Sequence, residues 1–128
     1  MSQGDVLDRD DYVASVLRLY LEMPETPLRV GPSDRQRAAE LYDRQVPMLT
    51  VESALLLASL RRLGRPQDYP RLTPIRSLAY FMPVVEELLE SPLPDGYIDY
   101  VSDKVRKLGA DNFKSTQAGA RSKKYVSS

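Results

Sequence analysis

The chain has 128 residues, which is enough for one domain with a hydrophobic core and too few for two. Hydrophobic residues make up 42% of it and charged residues 28%, and no apolar run approaches the roughly 20 residues that span a bilayer, so we expect no membrane segment. The formal net charge is zero, and the absence of cysteine and histidine excludes disulfides, thiolate nucleophiles, imidazole bases and Cys/His metal sites.

The first predicted helix runs from about Arg9 to Met23. Asp8 can cap its N-terminus, where carboxylates suit the positive end of the helix dipole. Its apolar residues recur at helical spacing: Val13, Val16, Leu17, Tyr20 and Leu21. Pro24 ends the helix, and the prolines of segment 24–32 predict a stiff, extended connector.

A second helix is predicted from a capping-box pattern, in which Ser33 is followed three residues later by Gln36. This pattern places the start of the helix at Asp34, and the helix should end before Pro47. Its apolar residues are Ala38, Leu41 and Tyr42. The rest of its surface mixes acids and bases, which is typical of a face turned toward water.

The third predicted helix is the most apolar element of the chain. Thr50 can cap its start, and Gly64 is a natural residue to follow its end. Leucines and alanines cover most of its circumference between residues 54 and 63, so we expect it to be the central helix of the domain. Arg61 and Arg62 fall in its last turn, where cations suit the helix dipole.

Thr73 followed by Pro74 predicts the start of a fourth helix, since proline is favoured at the first helical position. The apolar residues that follow are Ile75, Leu78, Ala79, Met82, Val85, Leu88 and Leu89. Pro83 lies inside this pattern and cannot donate a backbone hydrogen bond. We therefore expect a kink or a break near Ala79–Met82.

A fifth helix is predicted over about Gly96–Leu108, with Asp95 as its cap and Gly109 as its end. The residues expected to face inward are Tyr97, Ile98, Val101, Val105 and Leu108. No segment shows the two-residue alternation of a strand. We predict a single all-α bundle of about five helices over residues 1–109, followed by a flexible basic tail over residues 110–128.

Acidic residues show no spacing that would build a catalytic or metal site. Glu86 and Glu87 are adjacent and point about 100° apart on a helix, and no cluster of acids surrounds a glycine turn. There is also no glycine-rich loop opening a helix, the usual cradle for a nucleotide phosphate. We therefore predict no enzymatic activity, no catalytic residue, no metal or cofactor and no small-molecule substrate.

Arginines gather around the junction between the third and fourth predicted helices. If these helices pack as an antiparallel pair, five arginines lie near one end of the domain: Arg61, Arg62, Arg65, Arg71 and Arg76. The C-terminal segment adds further bases, namely Lys114, Arg121, Lys123 and Lys124. Guanidinium groups and a basic tail suit phosphates, and Tyr69, Tyr80 or Tyr125 could stack on bases. These nine basic residues form the predicted DNA- or RNA-binding site.

The middle of the chain resembles the helical C-terminal domain of bacterial plasmid and phage replication-initiation proteins, including the DnaD-like replisome organisers. The likeness runs through Arg37–Leu63 and Pro74–Glu90. The matching residues are Ala38, Leu41, Tyr42, Val51, Ala54, Leu55, Ala58, Pro74, Ile75, Leu78, Tyr80 and Phe81. The resemblance implies a non-enzymatic helper that contacts DNA and a helicase or another replication partner, or a small accessory factor of a mobile element.

Two alternatives remain open at this stage. Eight tyrosines against two phenylalanines favour a protein–protein interaction module or a small subunit of a larger complex, with no direct contact to nucleic acid. Helices of mixed charge also permit a small regulator that blocks the nucleic-acid site of another protein. For each reading we expect a cytoplasmic protein, because there is no secretory signal and no cysteine.

Overall fold

Five α-helices and one 3₁₀ turn make up the regular structure of the described residues. The computed structural model describes residues 7–66, 68–70 and 72–120, and for residues 110–120 it describes the helical backbone alone. In chain order the elements are α1 (Arg9–Glu22), α2 (Pro32–Asp43), α3 (Met48–Leu63), the 3₁₀ turn (Leu78–Phe81), α4 (Met82–Glu90) and α5 (Tyr97–Ala120). The described residues include no strand, and the predicted all-α bundle is confirmed.

Helix α3 lies at the centre of the bundle, as its apolar circumference predicts. It packs against α5, α4 and α1, and α2 packs on α1. Val51, Ala54 and Leu55 of α3 are almost fully buried. Tyr20 of α1 and Phe81 of the 3₁₀ turn complete the core, where their rings meet edge to face at 5.9 Å. Burial of this apolar surface is the main force that holds the helices together.

The N-termini of α1 and α2 are held by carboxylates. Asp8 caps α1 as predicted, since its Oδ1 accepts a hydrogen bond from the backbone N–H of Asp11 at 2.8 Å. Helix α2 begins at Pro32, two residues before its predicted start at Asp34. The difference arises because the Asp34 carboxylate accepts from the N–H of Gly31, so that Asp34 supplies the acidic residue of the box and Gly31 the cap.

The predicted start of a fourth helix at Thr73–Pro74 is wrong. The segment before Ser77 is not helical, because the N–H of Ile75 donates to the carbonyl of Glu25 at 3.3 Å in the distant α1–α2 connector. Helical structure starts with the 3₁₀ turn, which Ser77 caps by accepting from the N–H of Ala79. The predicted break near Ala79–Met82 is present, since the 3₁₀ turn passes into α4 there and proline occupies the first turn of α4.

The third helix starts at Met48, two residues before the predicted cap at Thr50. The predicted end of the fifth helix at Leu108 is also wrong, since α5 continues through Gly109 to Ala120. A Cβ built on Gly109 would lie 3.5 Å from the Pro24 side chain, so this glycine packs inside the helix and does not terminate it. The predicted boundary between residues 109 and 110 therefore falls within α5, and the flexibility of the C-terminal segment stays a prediction.

The inward face of α5 is narrower than predicted. Val101 and Val105 are buried, and Ile98 and Leu108 are partly buried. Tyr97, which we expected to face inward, is 37% exposed. No helix of the described residues combines the length and the apolar character required to cross a membrane.

Candidate nucleic-acid interface

The end of α3 opens into a cleft between α4 and the segment after α3. The cleft has a volume of about 310 Å³ and is lined by Ala58, Arg61, Arg62, Arg65, Leu72, Tyr80 and Val84. Helix α3 contributes Ala58 and two of the arginines, and α4 contributes Val84. The structure therefore brings together three of the five arginines predicted around the third-to-fourth helix junction, beside a tyrosine and three apolar side chains.

Arg62 occupies the inner part of this cleft and is buried, with its side chain 5% exposed. Its Nε donates to Oε1 of Glu25 at 2.5 Å, and its Nη2 donates to the carbonyl of Thr73 at 2.5 Å. The guanidinium also lies 5.4 Å from the centre of the Tyr80 ring, with Nη1 3.4 Å from the hydroxyl. Burial acts to lower the pKa of Arg62, but hydrogen bonds to Tyr80 and Glu25 outweigh it and raise that pKa overall. Arg62 thus joins α3 to two loops and to the 3₁₀ turn.

Arg61 lies at the rim of the cleft, next to Arg62 in sequence but in a different environment. It forms a two-pronged pair with Glu87 of α4, with N–O distances of 2.8 and 2.6 Å, and both side chains are about half exposed. The hydrogen bond between them raises the pKa of Arg61 and lowers the pKa of Glu87. Because exposed pairs of this kind contribute little net stability, Arg61 can exchange its carboxylate for a phosphate at small cost.

Arg65 also lies at the rim and contacts no acid within salt-bridge distance among the residues described. Its Nη2 donates to the carbonyl of Pro70 at 3.1 Å, and its guanidinium stacks 5.2 Å from the centre of the Tyr69 ring. Tyr69 itself is 55% exposed. Arg65 and Tyr69 therefore present a cation and an aromatic face to solvent side by side.

Of the remaining predicted residues, the structure describes the side chain of Arg76 alone. Arg76 is exposed on the segment that precedes the 3₁₀ turn and is not among the residues that line the cleft. Lys114 falls on the part of α5 where only the backbone is described. The other four predicted basic residues, Arg71, Arg121, Lys123 and Lys124, lie outside the described residues, as does Tyr125.

Two acidic residues that shape the cleft were not identified from the sequence. Glu25 has a φ of 67°, in the left-handed region, and this places its carboxylate on Arg62. Nothing in the local sequence indicates such a long-range pair. Glu87 lies 26 residues after its partner Arg61, and the spacing of the acidic residues does not indicate this pair either.

The structure adds no candidate for a metal centre in the part of the chain that it describes, where no three acidic residues come close enough to hold an ion. The one buried carboxylate there, Asp34, already accepts hydrogen bonds from the N–H groups of Gly31 and Leu78. It therefore ties the start of α2 to the 3₁₀ turn.

The chain matches no protein-family model, and no match to it is found among the curated proteins or among the solved structures. The likeness to replication-initiation proteins accordingly stays a prediction from the spacing of apolar residues. What the cleft can do chemically follows from its own side chains, which combine cations, an aromatic ring and an apolar floor.

Proposed function

We propose that this protein is a non-enzymatic adaptor or accessory subunit that binds nucleic acid through the cleft at the end of α3. The observation that supports this proposal is the grouping of Arg61, Arg62 and Arg65 around one cleft. Arg62 supplies internal structure, while the half-exposed Arg61 and the partly exposed Arg65 can reach phosphates by exchanging a surface partner, Glu87 for Arg61 and the Pro70 carbonyl for Arg65. The predicted basic C-terminal segment would add diffuse, salt-sensitive attraction.

The resemblance to replication-initiation proteins agrees with this function and suggests a role in replication or in a mobile element. In such a role the helical body would hold DNA or RNA and a protein partner at the same time. The geometry of the cleft supports the first of these contacts independently of the resemblance.

A salt titration with two double variants tests the proposal. The cleft variant carries Arg61→Gln and Arg65→Gln. The control carries Arg9→Gln and Arg18→Gln on α1, which remove the same charge, and Arg9 is likewise paired in two-pronged fashion, with Asp43. We expect labelled DNA or RNA to bind the native protein, the cleft variant to bind about tenfold more weakly with a shallower salt dependence, and the control to bind nearly as well as the native protein.

The choice of concentration makes this test decisive. Non-specific nucleic-acid binding has dissociation constants of about 10⁻⁴ to 10⁻⁶ M at physiological salt. Absence of binding to any single- or double-stranded DNA or RNA at about 100 μM protein and low salt would overturn the proposal. Equal losses of affinity in the cleft variant and the control would show that the cleft is not the binding site.

A second candidate function, a protein-interaction module, is favoured by exposed apolar and aromatic side chains on α4 and α5. Tyr97 and Tyr100 have ring centres 5.5 Å apart and are 37% and 52% exposed, and Leu89 is 40% exposed. Exposed tyrosines are characteristic anchors of protein interfaces. If these side chains carry the function, Tyr97→Ser with Tyr100→Ser should abolish binding of a purified partner that the cleft variant still binds.

A further inference from the structure

The floor of the cleft is apolar, which is unusual for a surface that only neutralises phosphates. Ala58, Leu72 and Val84 line it together with the arginines, and we refer to these three side chains as the apolar floor. Phosphate groups gain nothing from contact with these side chains, since burial against apolar atoms removes their hydration. A flat, largely apolar group with polar edges fits this floor much better than a phosphate does.

Tyrosine rings stand at the cleft and next to it. Tyr80 lines the cleft and is 40% exposed, while its ring meets Phe81 edge to face at 5.2 Å, which holds it in place. Tyr69 is paired with Arg65 nearby. Exposed aromatic rings beside guanidinium groups are the usual platform on which unpaired bases stack, and they tolerate any base because every base has a π-face.

The position of α3 argues against a duplex as the ligand. Sequence-specific readers of duplex DNA insert an exposed helix into the major groove. The helix that bears Arg61 and Arg62 is the central one, and more than half of its residues are buried by α1, α4 and α5. This helix is therefore not available for insertion into a major groove, and bases stacked inside a duplex do not present their faces to the side chains of the cleft.

We infer that the cleft binds single-stranded nucleic acid in preference to duplex, with one unpaired base resting on the apolar floor against Tyr80. The adjoining phosphates then contact Arg61 and Arg65. This inference rests on the proposed function and specifies its ligand. Its selectivity is for an unpaired base and not for a sequence, since stacking reads no base edge.

Fluorescence anisotropy with three probes of equal length tests this inference on the full chain at one fixed salt concentration. The probes are an oligothymidylate, a duplex, and an oligonucleotide of abasic sites that keeps the phosphates and loses the bases. We expect the oligothymidylate to bind at least about tenfold more tightly than each of the others, because stacking supplies most of the selectivity. The abasic probe requires no substitution, so the result does not depend on whether a variant folds.

A matched pair of variants locates the stacking residue. Tyr80→Ser should reduce the preference for the oligothymidylate over the abasic probe, while Tyr100→Ser should leave it unchanged. Tyr100 is a fair control because it is 52% exposed and also lies beside a cation, with Lys104 Nζ 5.7 Å from its ring centre.

The outcomes separate this inference from the proposed function. Equal binding of the oligothymidylate and the duplex, or of the oligothymidylate and the abasic probe, overturns the single-strand inference and leaves nucleic-acid binding standing. Failure of all three probes, and of single- and double-stranded RNA of the same length, to bind at low salt overturns both.

Discussion

The inner part of the cleft and its rim differ sharply although the arginines that define them are neighbours in sequence. Arg62, in the inner part, is buried and donates to a carboxylate and a backbone carbonyl. Arg61, at the rim, is half exposed and pairs with a single acid. Adjacent positions on a helix point about 100° apart, so one arginine is directed into the bundle and the other toward solvent. One residue type thus serves as internal structure and as a surface cation within a single turn.

The two regions should also differ in what they contribute to the molecule. A buried guanidinium is tolerated only when its hydrogen bonds are satisfied, and removing it leaves its partners without a donor. An exposed ion pair contributes little to folding stability, because water and salt screen the attraction and two long side chains must be held in place. We therefore expect the inner part to govern stability, and under the proposed function the rim would serve binding.

The largest expected effect is the loss of Arg62. Arg62→Met keeps most of the side-chain volume but removes the hydrogen bonds to Glu25 and to the Thr73 carbonyl. We expect the free energy of unfolding to fall by about 2–3 kcal/mol. Urea denaturation followed by circular dichroism measures this change, and Arg61→Met, the matched control, should cost only a small fraction of it. Equal costs for the two variants would erase the distinction between the regions.

A smaller effect is expected from the pH dependence of the rim. The hydrogen bond from Arg61 lowers the pKa of Glu87 below its ordinary value of 4.5. A carboxyl group whose pKa is lowered by folding stabilises the fold above its unfolded pKa, and that contribution is lost as the pH falls through the folded pKa. Between about pH 6 and about pH 3, the native protein should therefore lose more stability than Glu87→Gln. The melting temperatures of both proteins across this range provide the measurement, and parallel profiles would show that the pair contributes nothing.

The smallest effect concerns the hydroxyl of Tyr80. It lies 3.4 Å from Nη1 of Arg62, which is long for a hydrogen bond. Tyr80→Phe keeps the ring and should change the free energy of unfolding by less than about 0.5 kcal/mol. The same urea titration reports it. A cost approaching that of Arg62→Met would mean that the hydroxyl, and not Glu25 or Thr73, anchors the buried guanidinium.

Local signals in the sequence predicted the elements better than their ends. The Asp8 cap, the central position of α3 and the break before Pro83 all follow from residues close together in the chain. The start at Thr73–Pro74 failed because Arg62 and Glu25, both distant in sequence, bind the backbone of that segment. The end at Gly109 failed because a glycine packed against Pro24 resembles a helix terminator when only its neighbours in sequence are known.

In the candidate site, too, some features could be predicted from local sequence and others depend on distant contacts. Clustered arginines between two apolar helices predicted that cations gather near the end of α3, and Arg61, Arg62 and Arg65 do line one cleft. Their separation into one buried, one exposed and one partly buried residue could not be predicted, since it depends on the direction in which each side chain meets the rest of the bundle. The left-handed conformation of Glu25, which supplies the partner of Arg62, leaves no recognisable pattern in the sequence.

By itself the sequence determined an all-α bundle, with α3 at its centre and a surplus of arginines after it, because helix periodicity and caps depend on residues within a few turns of each other. Only the tertiary structure decided which arginine is internal, where the apolar floor of the cleft lies and which acids face it. These features depend on contacts between segments far apart in the chain, such as Arg62 with Glu25 and Arg61 with Glu87. Such contacts form only when packing of the core brings the segments together.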